Sequence, residues 1–201
     1  HLIPKIKAAP NVEWIQDEVI SIAPDGEIRT EKEVFKGELV FNSTINYGQL
    51  NFNNANNVLQ HFKGWFIETK EPQFDPDRVT YMDFSVDQEG DCRFGYVLPL
   101  SAQQALVEYT VFNKTLLSEE AYTQRLENYI TSLGIKQYKL MEEEAGVIPM
   151  TDYPFNIRVS DHVFNIGILG GFAKASTGYS FLRAQHILKK MTANVALRLA
   201  P

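Results

Sequence analysis

Between residues 64 and 112 lie the stretches GWFIET, RVTYMDFSV, CRFGYVLPL and ALVEYTVF, and they constrain the fold more than anything else in the chain. Each is short, rich in β-branched and aromatic residues, and separated from the next by turn chemistry: PQFDPD, DQEGD and SAQQ. That is the pattern of successive strands in an antiparallel sheet. In the last of them, the side-chain period of two puts Leu106, Glu108, Thr110 and Phe112 on one face and Ala105, Val107, Tyr109 and Val111 on the other. Both faces are mostly apolar, so a central strand is expected, with the Glu108 carboxyl poorly hydrated.

The sheet needs a cover, and SEEAYTQRLENYITSLG supplies one. Ser118 is placed to cap a helix, Glu119 and Glu120 lie in its first turn, and Gly134 stops it. Tyr122, Leu126, Tyr129, Ile130 and Leu133 fall on one face of that helix and are expected in the core. QYKLMEEEAGVIPM reads as a further strand with an acidic bulge, Glu142 to Glu144 being a solvated turn rather than a metal site. Upstream, HLIPKIKAAPNVEW reads as the end of a helix followed by a strand, so the chain is expected to begin mid-fold. VEWI, EVISI, EIRT and ELVFNSTI, with a turn at Pro24-Asp25-Gly26, then read as a β-meander. The Asn-rich residues 47–59 suit a linker between subdomains. The fold class expected is α+β.

Composition narrows the function classes. A chain of 201 residues with 44% hydrophobic content can bury a substantial core. Its formal net charge of -6, without a basic cluster, argues against nucleic acid as a partner. The single cysteine, Cys92, excludes an intrachain disulfide and fits a reducing compartment. No apolar run approaches the roughly 20 residues that span a bilayer. His1, His61, His162 and His186 lack metal-ligand spacing, and Arg158, Asp161 and Lys174 read as solvent-facing.

Near the C-terminus, the apolar HVFNIGIL reads as a buried strand, GGFAKASTGYSF as a glycine-rich turn, and TGYSFLRAQHILKKM as a helix with Phe181, Ala184, Ile187, Leu188 and Met191 on one face. Strand, glycine turn and helix start make an anion-site geometry in which free N–H groups near Gly178 face a phosphate or another electron-rich group. The same residues also fit a tight turn with Ser176 or Thr177 as an ordinary helix cap.

QHFKGWFIET, FDPDRVTYMDF, RFGYVLPLSAQQALVEYT and GGFAKASTGYSF, in this order and spacing over about residues 60–191, resemble the C-terminal part of a bacterial lycopene cyclase of the flavoprotein type. Those enzymes are related in fold to aromatic hydroxylases and geranylgeranyl reductases. The resemblance implies a partial FAD-binding domain in residues 1–50 (meander and returning strand), a substrate-binding domain in 51–160, and the closing strand, flavin-contact loop and C-terminal helix in 161–201. It carries the cofactor contacts onto Gly170, Gly171, Ser176, Thr177 and Gly178, with Ala175 standing where the family usually has proline. It carries the essential acid onto Glu108 in ALVEYT. Burial supports that role, since it raises a carboxyl pKa and keeps a proton available; a strand-edge Glu facing water is the alternative.

The activity implied is acid-catalysed, redox-neutral cyclisation of lycopene end groups to β-ionone rings. It uses reduced FAD supplied by NAD(P)H, in a cytoplasmic protein held peripherally on the inner face of the cell membrane. Trp65, Phe84, Phe94, Tyr96 and Tyr109 would line a polyene tunnel or else pack as ordinary core. Asp83 would be a second acid or, preferably, a hydrogen-bonded sheet residue. The chain contains no G-x-G-x-x-G, so by itself it is expected neither to bind flavin tightly nor to cyclise lycopene. The alternatives are a flavin-dependent isoprenoid reductase or hydroxylase and a non-catalytic carotenoid- or lipid-binding module.

Overall fold

A computed structural model describes residues 2–44 and 55–197. The chain is α+β, and its sheets are mostly antiparallel. It divides into two compact units, one of residues 1–45, 155–171 and 185–201 and the other of residues 46–154 and 172–184.

The first unit opens with the short helix α1 (Ile3–Lys7) and continues into the antiparallel meander of β1 (Val19–Ile22), β2 (Glu27–Thr30) and β3 (Val34–Lys36). Residues 12–15, VEWI, form no strand: they join no ladder among the described residues, Val12 N–H closing a turn on the Ala9 carbonyl, and Trp14 lies under the Lys7 ammonium, 4.3 Å from ring centroid to Nζ. The third meander strand is VFK, which the turn-and-strand reading passed over. The next strand, β4 (Val40–Asn42), runs parallel to β10 (Val163–Asn165) in a separate two-stranded ladder. HVFNIGIL is therefore a strand for only three residues. Gly167, at φ +62, turns the chain, and Gly170 N–H closes a turn on the Ile166 carbonyl.

The second unit is a five-stranded antiparallel sheet in the order β6-β7-β8-β5-β9, with β5 (Asn57–Glu68), β6 (Thr80–Asp83), β7 (Cys92–Pro99), β8 (Gln104–Asn113) and β9 (Lys139–Thr151). Residues 47–54 of the expected linker lie outside the described residues, and its last three residues, Asn57 to Leu59, already belong to β5. Strand β8 is central, as its two apolar faces require. One face packs under α2 (Glu119–Ser132), where Trp65, Ile67, Val97, Val107, Tyr109 and Val111 meet Leu126, Tyr129 and Ile130. Ser118 caps α2 by accepting from Ala121 N–H at 3.2 Å, and Gly134 beyond its end has φ +83. Leu133 is 36% exposed, one step off the buried stripe, and does not join the core.

Two details fix how closely α2 sits. At Gly95 a Cβ would fall 2.7 Å from Tyr129 Oη and nearer still to ring carbons Cζ and Cε1, so only glycine admits the Tyr129 ring. Tyr129 Oη then donates to Asp83 Oδ2 at 3.0 Å, while Ser85 N–H donates to Asp83 Oδ1. Burial works against the Asp83 carboxylate, but the bonds from Ser85 and Tyr129 outweigh it and hold its pKa below the usual range. Asp83 is a sheet residue that anchors the helix.

The acidic run is not a turn. Glu142, Glu143 and Glu144 all lie within β9, and the bulge falls beside them: Phe66 pairs with Glu142 and Ile67 with Leu140, leaving Met141 as the extra residue. Helix α3 (Phe181–Ala196) starts late, with Ala184 N–H donating to the Ser180 carbonyl, so the helix opens at Ser180 and not at Ser176 or Thr177. Of its expected apolar stripe only Met191 is buried, and Phe181 is 60% exposed.

Candidate functional site

The sheet face turned away from α2 holds the chemistry. In an antiparallel sheet directly paired residues share a face, and the register pairs Glu108 on β8 with Tyr96 on β7 and Gly64 on β5, while Gly64 pairs in turn with Glu144 on β9. One row across the sheet thus reads Tyr96, Glu108, Gly64, Glu144. The rows on either side are mostly apolar: Leu98, Leu106 and Phe66, ending at Glu142 on the edge strand, on one side, and Phe94, Thr110 and Phe62 on the other. Glu108 and Glu144 are the acids of this row, on a floor that is otherwise mostly aromatic and aliphatic.

Glu108 is half-buried. Its carboxyl is pushed up to about 6, first by burial and further by the Glu144 charge, against the lowering effect of Thr110, whose hydroxyl donates to Oε1 at 2.6 Å. Near neutral pH an appreciable fraction is therefore the neutral acid, a proton donor facing hydrocarbon. Tyr96 beside it is raised as well, by burial first and then by the neighbouring Tyr81 and Glu108, and stays a neutral phenol.

The aromatic side chains sort cleanly. Phe94 stands edge-on to Phe84, Tyr96 and Phe112, each with ring centroids 5.4 Å away, and Tyr81 packs on Tyr96 at 5.2 Å. Phe84, Phe94 and Tyr96 therefore flank Glu108. Trp65 and Tyr109, expected as tunnel candidates alongside them, lie on the opposite face in the α2 core, at 5% and 2% exposure. Phe62, Phe66 and Phe112 take their place on the Glu108 face. The spacing within each strand assigns side chains to alternate faces, but only the pairing between strands tells which face is shared.

The glycine-rich segment is split between the units. Gly170 and Gly171 belong to the first, where their N–H groups donate to Ile166 O and Ile168 O and a Cβ at Gly171 (φ +68) would press on Phe155. Ser176, Thr177 and Gly178 belong to the second. Thr177 and Gly178 N–H groups both donate to the Lys174 carbonyl, and Thr177 Oγ1 accepts from Tyr179 N–H. These amides are engaged with the chain's own carbonyls, so they do not form an open phosphate cradle.

What the second unit does offer is a surface. Gly178, at φ +67, lies against Gln60 and Ile148 with no room for a Cβ, and Gln60 Oε1 is a buried oxygen with no hydrogen-bond partner. Ala175 and Ser176 border a cavity of about 820 Å³ whose apolar floor includes Val58, Leu59, Phe112 and Met150 and whose polar rim includes Asn56, Lys114 and Asp152. The unsatisfied Gln60 Oε1 beside Gly178 and, at the cavity, Ser176 over an apolar floor are suited to the edge of a flat heteroaromatic ring with N–H donors. They do not fit its phosphates.

Among the described residues no group of His, Cys, Asp or Glu is arranged to hold a metal, and no helix is long and apolar enough to cross a membrane. His61 is fully buried on the α2 side against Tyr122 and takes no part in the Glu108 face.

Comparison with known proteins bears on this arrangement. The sequence model of the family described as "Lycopene cyclase protein" matches residues 8–201. The chain is 37% identical over 71 residues to a lycopene beta-cyclase of Pantoea ananas, covering 35% of this chain and 19% of that protein. It is 34% identical over 103 residues to a lycopene beta-cyclase of Pseudescherichia vulneris, covering 49% of this chain and 27% of that one. A chloroplastic neoxanthin synthase of Solanum lycopersicum is 28% identical over 141 residues, 64% of this chain and 28% of its own length. The chain thus spans about a quarter of the length of the curated relatives it matches. Among solved structures, a geranylgeranyl bacteriochlorophyll reductase-like protein of Thermoplasma acidophilum superposes with a TM-score of 0.56 at 13% identity, over 91% of this chain and 53% of that one.

Proposed function

Because the chain belongs to the lycopene cyclase family, we propose that it forms part of a lycopene β-cyclase and carries that enzyme's proton donor, Glu108. A half-buried carboxyl, held near pH 6 on an aromatic sheet face, is the observation that supports this reading. Alkenes are weak bases, and an acid whose raised pKa leaves a part of it protonated near neutral pH in a water-poor site is what their protonation needs.

In the reaction Glu108 gives its carboxyl proton to a terminal C=C bond of the linear carotenoid. The neighbouring double bond attacks the resulting cation, a ring C–C bond forms, and loss of one ring proton leaves an isomer of the substrate. No electrons are gained or lost overall. Tyr96 pairs with the acid, and Phe94 one row on, backed by Phe112, completes an aromatic surface that would stabilise the cation while excluding water that would trap it as an alcohol. Thr110 fixes the carboxyl by donating to Oε1, which leaves the other oxygen to bear the acidic proton.

The residues beside Gly178 and Ser176 would hold the ring edge of a flavin, which on this reading is FAD kept reduced by NAD(P)H and would supply electrostatic stabilisation of the cation. Gln60 Oε1 and Ser176 would hold that edge, and the phosphates would be held by parts of the enzyme outside these residues. The substrate dissolves in bilayers, so the enzyme is assigned to the cytoplasmic side of the membrane as a peripheral protein. Exposed Tyr179, Phe181 and Leu182, at 53%, 60% and 67%, suit contact with lipid.

One experiment tests both parts. In cells accumulating lycopene, the whole protein carrying Glu108→Gln should fold and bind flavin but form rings at least roughly a hundredfold more slowly. Glu108→Asp should fall in between, its reach shortened by about one methylene. Fractionation of the same cells should find the protein with the membranes and resistant to salt extraction. Cyclic carotenoid formed at the parent rate by Glu108→Gln would sink the assignment, and products with altered hydrogen count would favour a reductase.

A further inference from the structure

The Glu108 face holds a second acid that the reading above leaves unused. Glu144 is half-buried on β9 and separated from Glu108 only by Gly64, the residue with which each of them pairs. A Cβ at Gly64 would lie 3.0 Å from Glu144 Cγ, 3.2 Å from Glu144 Oε1 and 2.9 Å from Leu106 Cδ1. The Glu144 side chain therefore leans inward over the backbone of β5, toward β8, in the space that the missing side chain leaves. An edge-strand glutamate would ordinarily extend into water.

We propose that Glu144 is a positioning residue for Glu108: laid over Gly64, its negative charge favours the protonated form of the neighbouring carboxyl. This rests on Glu108 being the proton donor. Two carboxyls on one shelf cannot both ionise freely, so the pair titrates in two steps and the more buried member keeps the proton longer. That member is Glu108. The groups facing it are Tyr96 from β7, Thr110 from its own strand, Glu144 from β9 and, one row on, Glu142. No cation is among them, for Lys63 points to the other face and pairs there with Glu119 and Glu143. Burial contributes most to the raised acidity constant of Glu108 and the Glu144 charge adds to it; Glu144 is itself raised by burial and by Glu142.

The test is the pH profile of ring formation by the whole flavin-loaded protein, with parent, Glu144→Gln and Glu144→Asp compared. Glu144→Gln keeps size and removes charge, so the alkaline limb should move to lower pH by roughly half a unit, a loss of about threefold at pH 7 that shrinks to about twofold at pH 6 and is recovered near pH 5. Glu144→Asp keeps the charge and should restore most of the parent profile. A second readout needs no catalysis: infrared titration without substrate, following the carboxyl C=O band that disappears in Glu108→Gln, should show the same downward shift in Glu144→Gln.

An unmoved limb and an unmoved band in Glu144→Gln, with Glu108→Gln inactive, would overturn this inference and leave Glu108 as the acid. Loss of ring formation by Glu144→Gln at every pH would overturn it too, because Glu144 would then take part in the reaction itself. Undiminished activity in Glu108→Gln would instead remove the reading on which it rests.

Discussion

Gly95→Ala offers the most direct test of how the α2 face is built. Gly95 lies within β7, opposite Tyr109, and its backbone is not in the left-handed region, so alanine would be comfortable there on conformational grounds. The obstacle is steric. The new methyl group would meet Tyr129 Oη at 2.7 Å and the ring carbons Cζ and Cε1 closer still, where real Cβ contacts begin beyond 3 Å. Tyr129 is 3% exposed and packed among Leu126, Ile130 and Tyr109, so it has no void to retreat into. Overpacking of this kind costs about 1–3 kcal/mol, and displacement of the ring also breaks its bond to Asp83, a further ~1–3 kcal/mol for a charged acceptor. The combined cost, about 2–6 kcal/mol, should lower the melting temperature by roughly 4–24 °C and shift the urea midpoint at constant m. In a Tyr129→Ala background the clash is gone, and Gly95→Ala should cost less than about 0.5 kcal/mol. Equal costs in the two backgrounds, or a cost below about 0.5 kcal/mol in the parent, would refute the packing argument.

Two predictions concern pH. Burial lowers the pKa of His61 from its usual 6.5, so the unfolded chain binds its proton more readily; stability is full above about pH 6.5 and declines as pH falls below it, and His61→Gln should flatten that part of a stability-against-pH curve. Glu108 has the opposite sign: its folded pKa of about 6 lies above the ordinary glutamate value of 4.5, so the chain loses stability as pH rises through that window, and Glu108→Gln should gain up to about 2 kcal/mol at pH 8 relative to pH 4 in urea titrations. A Glu108→Gln difference that does not change between those two pH values would mean that the carboxyl is not perturbed.

The sheet was largely legible because its signals are local. Strand composition, turn residues and the Ser118 cap mark where β5, β7, β8 and α2 run, and alternation along β8 correctly separates the Glu108 face from the Val107 face. What alternation cannot supply is register between strands. Trp65 and Phe66 are adjacent aromatics on one strand, and nothing local tells that Trp65 pairs with Val107 under the helix while Phe66 pairs with Leu106 beside the acid. The same missing information hid Glu144: in EEEA it looks like one of three solvated charges, and only the pairing through Gly64 brings it to Glu108. The short strands of the first unit were harder still. VEWI has strand composition but joins no ladder among the described residues, and Val163–Asn165 stops early because Gly167 turns the chain, so composition overestimates both. The glycine-rich segment carried a real signal, for Gly171 and Gly178 both need positive φ, yet a positive φ marks a turn whether or not a ligand lies beside it.

The two faces of the second unit divide stability from chemistry. On the α2 side the buried and half-buried charged groups have been given partners, Asp83 with Tyr129 and Lys63 with Glu119 and Glu143, and His61 meets Tyr122, although Trp65 Nε1 and His61 Nε2 are left without one. On the other side Glu108 has, among the described residues, one hydroxyl donor and no cation, and the charge acting on it there, Glu144, has its own sign. A sheet that wanted only to be stable would put an aliphatic residue at position 108, since Phe62, Phe66, Leu106 and Phe94 already surround it. Keeping a carboxyl there costs folding free energy at neutral pH, and that cost is the same quantity that raises its proton affinity. Any change that relaxes the site, by supplying a cation or by admitting water, should therefore stabilise the fold and weaken the acid together.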